Sequence, residues 1–136
     1  MSVLNSIGYP AYDEKCRMLT QEEGIRFAGI IDKSGKLVAG GFRQGLVPLE
    51  RDKKRLEDFM KFVSQVSLRH DLDRTLGPIN YLAARRDRII LVSFPLPASE
   101  MTLLISADKT LEIEKLASHI VNVFEREQAR LEYPST

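Results

Sequence analysis

The sequence of 136 residues predicts a single α+β domain over 1–136, with an ordered core over about 10–131. Apolar residues recur at helical spacing in three segments, and five short apolar runs rich in β-branched residues lie between them. Short polar turns join several of these runs, which indicates an antiparallel sheet. The predicted order is α-β-β-α-β-β-β-α, in which helices cover both faces of a five-stranded antiparallel sheet as a three-layer sandwich.

The first helix is predicted over about 10–22. Tyr12, Cys16 and Leu19 lie on one face at helical spacing, and Pro10 is tolerated in a first helical turn. Cys16 belongs to this apolar face, and the sequence places no histidine or cationic cluster beside it. We therefore interpret Cys16 as a small buried side chain rather than as a reactive thiol.

A β-hairpin is predicted next. Two apolar runs over 26–31 and 36–42 flank a short polar segment over 32–35 that ends in glycine, which is typical of a hairpin turn. Gly29 and Gly40 lie inside these runs, and glycine in a strand indicates a bulge or the close approach of a helix. The glycine spacing differs from that of a phosphate-binding loop, so nucleotide binding is not expected there.

The middle helix carries an apolar stripe on one face and a charged face over 50–61. Leu68 and Leu72 fall away from this stripe, which indicates a bend near Ser67 or a second packing partner for the far end. A Gly-Pro pair at 77–78 ends the helical segment. The residues of the stripe are Leu56, Phe59, Met60, Val63 and Val66, and Phe62 widens it.

Three strands and a last helix complete the predicted order. The strands are expected over 79–84, 89–94 and 101–107, and the second of them is a continuous apolar run that suits a strand covered on both faces. A final amphipathic helix is expected over about 110–131, with Asp108 or Thr110 as its N-terminal cap.

Composition excludes several classes of function. Twenty Lys and Arg residues oppose nineteen Asp and Glu residues, so the net charge of +1 disfavours nucleic acid and anionic membrane surfaces as partners. One cysteine and two histidines leave no material for a disulfide framework or a multi-cysteine metal site, and no cofactor is expected. The apolar runs are too short to span a membrane and the first ten residues do not resemble a signal peptide, so the expected location is cytoplasmic.

One candidate site for contact with an anion or a partner is a charged segment over 69–74 that contains Arg69 and His70. We interpret this segment as a solvated or interface salt-bridge network, because interface charges set pairing register. Two alternatives stay open, a ligand or anion site and a His70 general base that a neighbouring carboxylate orients.

A second candidate site is the turn that holds Arg85, Arg86 and Arg88. A basic turn keeps a sheet edge soluble and discourages aggregation, which is the interpretation we favour. Contact with phosphate, with nucleic acid or with an acidic partner is the alternative, because guanidinium groups bind phosphates and carboxylates.

The hairpin and the order of elements together resemble the roadblock/dynein light chain superfamily. The phrase from Phe27 to Ala39 contains an apolar strand, a D-x-x-G turn and a second strand that ends in small residues, which looks like the opening of that family. The resemblance covers about 10–131 at the level of element order. It extends in sheet architecture to the profilin and longin folds, and the chain is also similar to small archaeal proteins of this build.

The resemblance implies a homodimer or a heterodimer in which the strand after the middle helix pairs with its counterpart and the middle helices pack together. Mapped onto this sequence, the pairing strand is 79–84 and the helix surface comes from about 60–72, so that the displaced leucines face a partner chain. The long charged segment over 43–55 departs from the family pattern. The candidate interface residues are Met60, Ser64, Ser67, Leu68, Leu72, Ile79, Tyr81 and Ala83.

Three functions are therefore compared. The first is a non-enzymatic dimeric module that regulates or scaffolds a small GTPase or another signalling partner, as members of the superfamily do, and it has no catalytic residues. The second is a profilin-like or sensor-type domain that binds a small ligand or an anion between sheet and helix. The third, an enzyme that uses His70, lacks a second catalytic group.

Overall fold

A computed structural model of the protein describes residues 3–96 and 99–132, and the side chains of 11–96 and 99–124. The ends of the predicted domain at 1–2 and 133–136 lie outside the described residues. The predicted order is confirmed, with one short helix added after the middle helix. The elements are α1 (Val3–Thr20), β1 (Ile25–Ile31), β2 (Leu37–Phe42), α2 (Lys53–Ser67), α3 (Asp73–Leu76), β3 (Leu82–Arg85), β4 (Ile89–Leu96), β5 (Met101–Asp108) and α4 (Ile113–Glu132).

The five strands form one antiparallel sheet in the order β2-β1-β5-β4-β3, as predicted. The first and the last strands of the chain pair along their length, with Ile30 of β1 opposite Leu103 of β5. This pairing places β1, β5 and β4 in the interior of the sheet and leaves β2 and β3 as its two edges. The sheet therefore has two edges that differ in sequence and in surroundings.

Alternate residues of the sheet enter two cores, because successive side chains of a strand point to opposite faces. On one face, buried Ile30 and Ile105 pack with the helices α1 and α4, through residues such as Leu19 and Ile120. On the other face, Phe27, Ile31 and Leu104 pack with Met60 of α2. The three-layer arrangement is thus confirmed.

The β1–β2 turn packs directly against the middle of α2. The carboxylate of Asp32 accepts hydrogen bonds from the backbone N–H groups of Ser34 and Lys36, at 3.0 and 2.9 Å. Partial burial acts to raise the pKa of Asp32, but hydrogen bonds from Lys36 and Ser34 outweigh it and lower the pKa below its usual value. The hydroxyl of Ser64 donates to the Asp32 carbonyl oxygen at 2.8 Å, so the turn and α2 hold each other in place.

The edge strand β2 is covered by α1. The Asp13 carboxylate accepts the outward N–H of Gly40 at 2.7 Å, and a Cβ on Gly40 would lie 2.8 Å from the Cβ of Cys16. The close approach of a helix that the glycines predict is therefore confirmed at Gly40. Burial, together with the charge of Asp13, raises the pKa of the Cys16 thiol to about 12, which keeps it protonated and unreactive.

Two helix boundaries differ from the prediction at their N-terminal ends. The first helix begins at Val3, so Pro10 lies inside the helix and not at its start. The last helix begins at Ile113 and not at about 110, because the segment after β5 forms a turn in which Leu111 N–H donates to the Asp108 carbonyl oxygen at 3.1 Å. Short polar segments of this kind suit a turn and a cap equally well, so the sequence pattern alone does not separate them.

The middle helix ends earlier than predicted. Leu68 is the residue that ends α2, with φ −95° and ψ 12°, and Arg69 N–H donates to the Val66 carbonyl oxygen at 3.3 Å in a tightened last turn. Leu68 and Leu72 depart from the apolar stripe because α2 ends at Ser67, the position near which the sequence pattern indicated a bend. A turn and the four-residue helix α3 follow, and Leu72 is the residue before α3.

A buried hydroxyl in the sheet provides a test of the core. Thr102 of β5 is fully buried, and within the described residues its Oγ1 has no hydrogen-bond partner. Replacing Thr102 with valine keeps the shape and removes the polar atom, so we expect stabilisation by about 1 kcal/mol. Urea unfolding of the variant measures this change, and a loss of stability would show that the hydroxyl is hydrogen-bonded.

Candidate interaction surface

The outer edge of β3 has backbone groups that the sheet does not use. In the β3–β4 hairpin, Arg86 N–H donates to the Ile89 carbonyl oxygen at 2.9 Å, and Ala84 lies opposite Leu91. Because hydrogen-bonded pairs alternate along an antiparallel ladder, Leu82 and Ala84 bond to β4, while the N–H and C=O of Ala83 point outward. The side chain of Ala83 is exposed, and nothing in the described structure covers this edge as α1 covers β2.

Apolar side chains of α2 lie beside this edge. Phe62 is 60% exposed, which is unusual for a phenylalanine in the middle of an amphipathic helix. Together with β3, these side chains form a shallow groove of about 240 Å³, which we call the edge groove. Its lining includes Phe59, Phe62, Val63, Val66, Leu82, Ala83 and Ala84.

Three of the predicted interface residues are buried within their own chain. Met60, Ser64 and Ser67 lie on the face of α2 that packs against the sheet, and Ser67 exchanges a hydrogen bond of 2.8 Å with Ser93 of β4. These side chains face the core of the chain, and Met60 and Ser67 reach the surface only as part of the floor of surface depressions. A helical stripe identifies the buried face, but the residues that a partner could reach are those that flank it.

The other predicted interface residues are spread over several environments. Strand β3 begins at Leu82 and not at Ile79, so Ile79 and Tyr81 precede it in an irregular segment. The Tyr81 hydroxyl donates to the carboxylate of Glu114 in α4, and its ring packs against Phe94 on the opposite face of the sheet from α2. Leu68 is half-buried at the end of α2, and Leu72 is exposed at the start of α3. Of all the predicted interface residues, the exposed Ala83 and the buried Ser67 line the edge groove.

The predicted basic turn forms one wall of a second, larger surface feature. Arg85, Arg86 and Arg88 line a cleft of about 810 Å³ between the N-terminal half of α2 and the sheet, which we call the arginine cleft. Arg26 of β1 and Arg55 of α2 line the same cleft. Its apolar residues are Phe27, Phe42, Leu49, Leu56, Phe59, Met60, Ile89, Leu91 and Leu104.

Five arginines and two carboxylates line this cleft, and the two carboxylates belong to Glu50 and Asp87. Arg55 lies 3.7 Å from the Glu50 carboxylate, and Arg85 donates to the Lys109 carbonyl oxygen at 2.9 Å. In the part of the chain that the structure describes, Arg26, Arg86 and Arg88 have no side-chain ion pair or hydrogen bond. The cleft therefore has an excess of uncommitted positive charge.

Arg69 and His70, the other predicted contact residues, lie elsewhere. They follow the C-terminal end of α2, whereas the cleft is built on its N-terminal half, and neither lines the cleft. The His70 ring bonds to the Asp73 carboxylate at 2.8 Å in an exposed pair. Within the described residues, His, Cys, Asp and Glu side chains nowhere form a group of three or more that could hold a metal ion.

Three residues of these surfaces were missed by the sequence analysis. Arg26 and Arg55 belong to a strand and to a charged helix face, and neither pattern indicates that they face the turn at 85–88. Phe62 was absent from the predicted interface, although its position beside the apolar stripe and on the charged side of α2 is the signal that could have found it.

Among the described residues, none of the helices combines the length and hydropathy that crossing a bilayer requires.

Solved structures of roadblock/LC7 proteins share this fold. A roadblock/LC7 domain from Streptomyces avermitilis superposes with a TM-score of 0.63 at 14% identity, over 88% of this chain and 97% of that one. An MglB structure described as having a tetrameric arrangement superposes with a TM-score of 0.64 at 21% identity, over 85% of this chain and 83% of that one. The gliding protein MglB of Thermus thermophilus superposes with a TM-score of 0.59 at 16% identity, over 83% of this chain and 85% of that one. At these identities the likeness confirms the predicted roadblock fold.

Sequence comparison leads to a family without an assigned activity. No curated protein matches the chain. One family model matches residues 4–132, and its description is family of unknown function (DUF6659). Since that match covers nearly the whole chain, the protein belongs to the DUF6659 family and has the roadblock fold.

Proposed function

We propose that the protein is a non-enzymatic module that pairs with a second copy of itself and regulates or scaffolds a signalling partner, such as a small GTPase. The observation that carries this proposal is the asymmetry of the sheet. At the β2 edge, α1 packs beside the strand and Asp13 accepts the outward N–H of Gly40, whereas the β3 edge lies beside exposed apolar side chains of α2. Open strand edges are templates for pairing with another chain.

Pairing through β3 needs both the open strand edge and the exposed apolar side chains of α2. A four-residue strand presents few outward backbone groups, so its hydrogen bonds alone give a weak contact. Phe62 and Val66 beside the strand supply apolar area that two copies can bury against each other. A two-fold axis brings the same patch of both copies together, which yields a continuous sheet of ten strands.

The fold supports the choice of partner class. Roadblock proteins, which the sequence resembles, regulate or scaffold small GTPases and motor complexes without catalytic residues of their own. One of the similar structures is of MglB in a tetrameric arrangement, so self-assembly is known for a protein with this fold. By this likeness, we propose that this chain also self-associates.

Sedimentation equilibrium of Phe62→Glu tests the proposal. The wild type is expected to self-associate at micromolar concentration, and the glutamate is expected to weaken the association at least about tenfold, because a charge would be buried in the apolar contact. Gln65→Glu is the matched control, because Gln65 is exposed on α2 and does not line the edge groove.

Two outcomes contradict the proposal. A wild-type chain that is monomeric throughout the micromolar range has no partner copy at β3. Equal association of the wild type and of Phe62→Glu, with both chains folded by circular dichroism, places the contact on another surface.

A further inference from the structure

We infer that the arginine cleft binds an acidic segment of a partner protein whose carboxylates alternate with apolar side chains. This inference rests on the proposed function for the existence of a protein partner. It goes beyond that function because it assigns a second binding site, beside the edge groove and on the N-terminal half of α2, and states the chemistry of the segment that fits it.

The first support is charge. Five guanidinium groups oppose two carboxylates in the lining, although the whole chain carries a net charge of only +1. Arg26, Arg86 and Arg88 are left without a side-chain partner in the described part of the chain, and Arg86 and Arg88 are exposed. Guanidinium groups bind carboxylates in bidentate geometry, so the complementary ligand is an anion that presents more than one carboxylate.

The second support is the apolar lining between these charges. Phe42 is 36% exposed and packs edge-on against Phe27, with ring centroids 4.8 Å apart. Leu49, in the loop before α2, is 53% exposed at the same cleft. An apolar patch rimmed by arginines is typical of protein interaction sites, whereas a simple anion would leave these side chains in water.

The third support is shape. The arginine cleft and the edge groove share Phe59, Arg86, Leu91 and Leu104, so the two form one continuous surface along α2. Small-molecule sites enclose most of the surface of their ligand, whereas this cleft has about 810 Å³ and is open to solvent. An extended or helical peptide segment fits a long open surface. The balanced charge of the whole chain argues against a nucleic acid as the occupant.

Fluorescence anisotropy with designed peptides tests this inference. The probe is a fluorescein-labelled peptide of alternating glutamate and leucine, about ten residues long so that it spans the open surface, measured against the full chain at low and at high salt. We expect saturable binding that weakens with salt. We also expect binding at least about tenfold weaker to Arg86→Glu/Arg88→Glu, since two guanidinium contacts become repulsive.

Matched controls separate the contributions of charge and apolar contact. Arg69→Glu removes an exposed arginine that does not line the cleft and should leave binding unchanged. The neutral double variant Arg86→Gln/Arg88→Gln, checked by circular dichroism, should give an intermediate loss and guards against misfolding of the charge reversal. A peptide with lysine in place of glutamate, and one with serine in place of leucine, should both bind at least about tenfold more weakly.

Other outcomes overturn the inference. Absence of binding by the glutamate–leucine peptide does so directly, and equal binding of the glutamate–serine peptide, or full competition by millimolar inorganic phosphate, reduces the cleft to a simple anion site. If Arg88→Glu, which alters the cleft but not the edge groove, abolishes self-association in the ultracentrifuge, the occupant is the second copy. A monomeric wild type that binds the peptide would instead overturn the proposed pairing and leave the cleft assignment standing.

Discussion

Replacing Ala83 with proline is expected to leave the chain folded and to weaken its self-association at least about a hundredfold. The N–H of Ala83 points away from β4, so proline removes no hydrogen bond within the chain, and proline is tolerated on edge strands. In the pair, the same position loses an intermolecular donor and gains a ring where the partner strand must approach. Sedimentation equilibrium and thermal unfolding of the same sample measure the two expectations.

The neighbouring residue provides the matched control. Ala84 lies opposite Leu91 in a hydrogen-bonded pair, so Ala84→Pro removes a donor that β4 requires and should cost about 2 kcal/mol of stability. The two variants therefore distinguish the loss of an outward N–H at residue 83 from the loss of an N–H that bonds to β4 at residue 84. If Ala83→Pro unfolds as readily as Ala84→Pro, the alternation along β3 is reversed. If Ala83→Pro associates as the wild type does, the β3 edge is not the pairing surface.

Replacing Gly35 with alanine is expected to destabilise the fold by about 3 kcal/mol. Gly35 has φ +88°, and a Cβ there would lie 2.4 Å from the Cα and 2.5 Å from the backbone N of Lys61 in α2. The left-handed conformation costs about 1 kcal/mol for a residue with a Cβ, and separating the turn from α2 adds about 2 kcal/mol. Urea unfolding followed by circular dichroism measures the total.

Gly45→Ala is the control for the conformational part. Gly45 also has a positive φ, at +82°, but a Cβ on it would meet nothing within 4 Å. Gly45→Ala should therefore lower the free energy of unfolding by only about 1 kcal/mol. Equal losses for the two variants would mean that the turn does not pack against the backbone of α2.

Local patterns predicted most of the elements for physical reasons that are visible in particular residues. The segment from Asp32 to Gly35 specifies its turn because the Asp32 carboxylate accepts from the next residues and Gly35 supplies the positive φ. The continuous burial of β1 and β5 follows from their apolar runs. The break near Ser67 was predicted as a bend and not as the end of α2, because leucines beyond a helix continue an apolar pattern that periodicity does not distinguish from the helix itself.

The sequence by itself determined the α+β class, the succession of strands and helices, the hairpin turn and the lack of material for a cysteine- or histidine-rich centre. Only the tertiary structure decided which edge is covered, which face of α2 is buried and which arginines share a cleft. Those properties depend on which distant segments are brought together, as Asp13 is with Gly40 and as Arg26 is with Arg88 around one cleft. Periodicity reports which face of an element is apolar, but the neighbours of that face are set by how the elements pack.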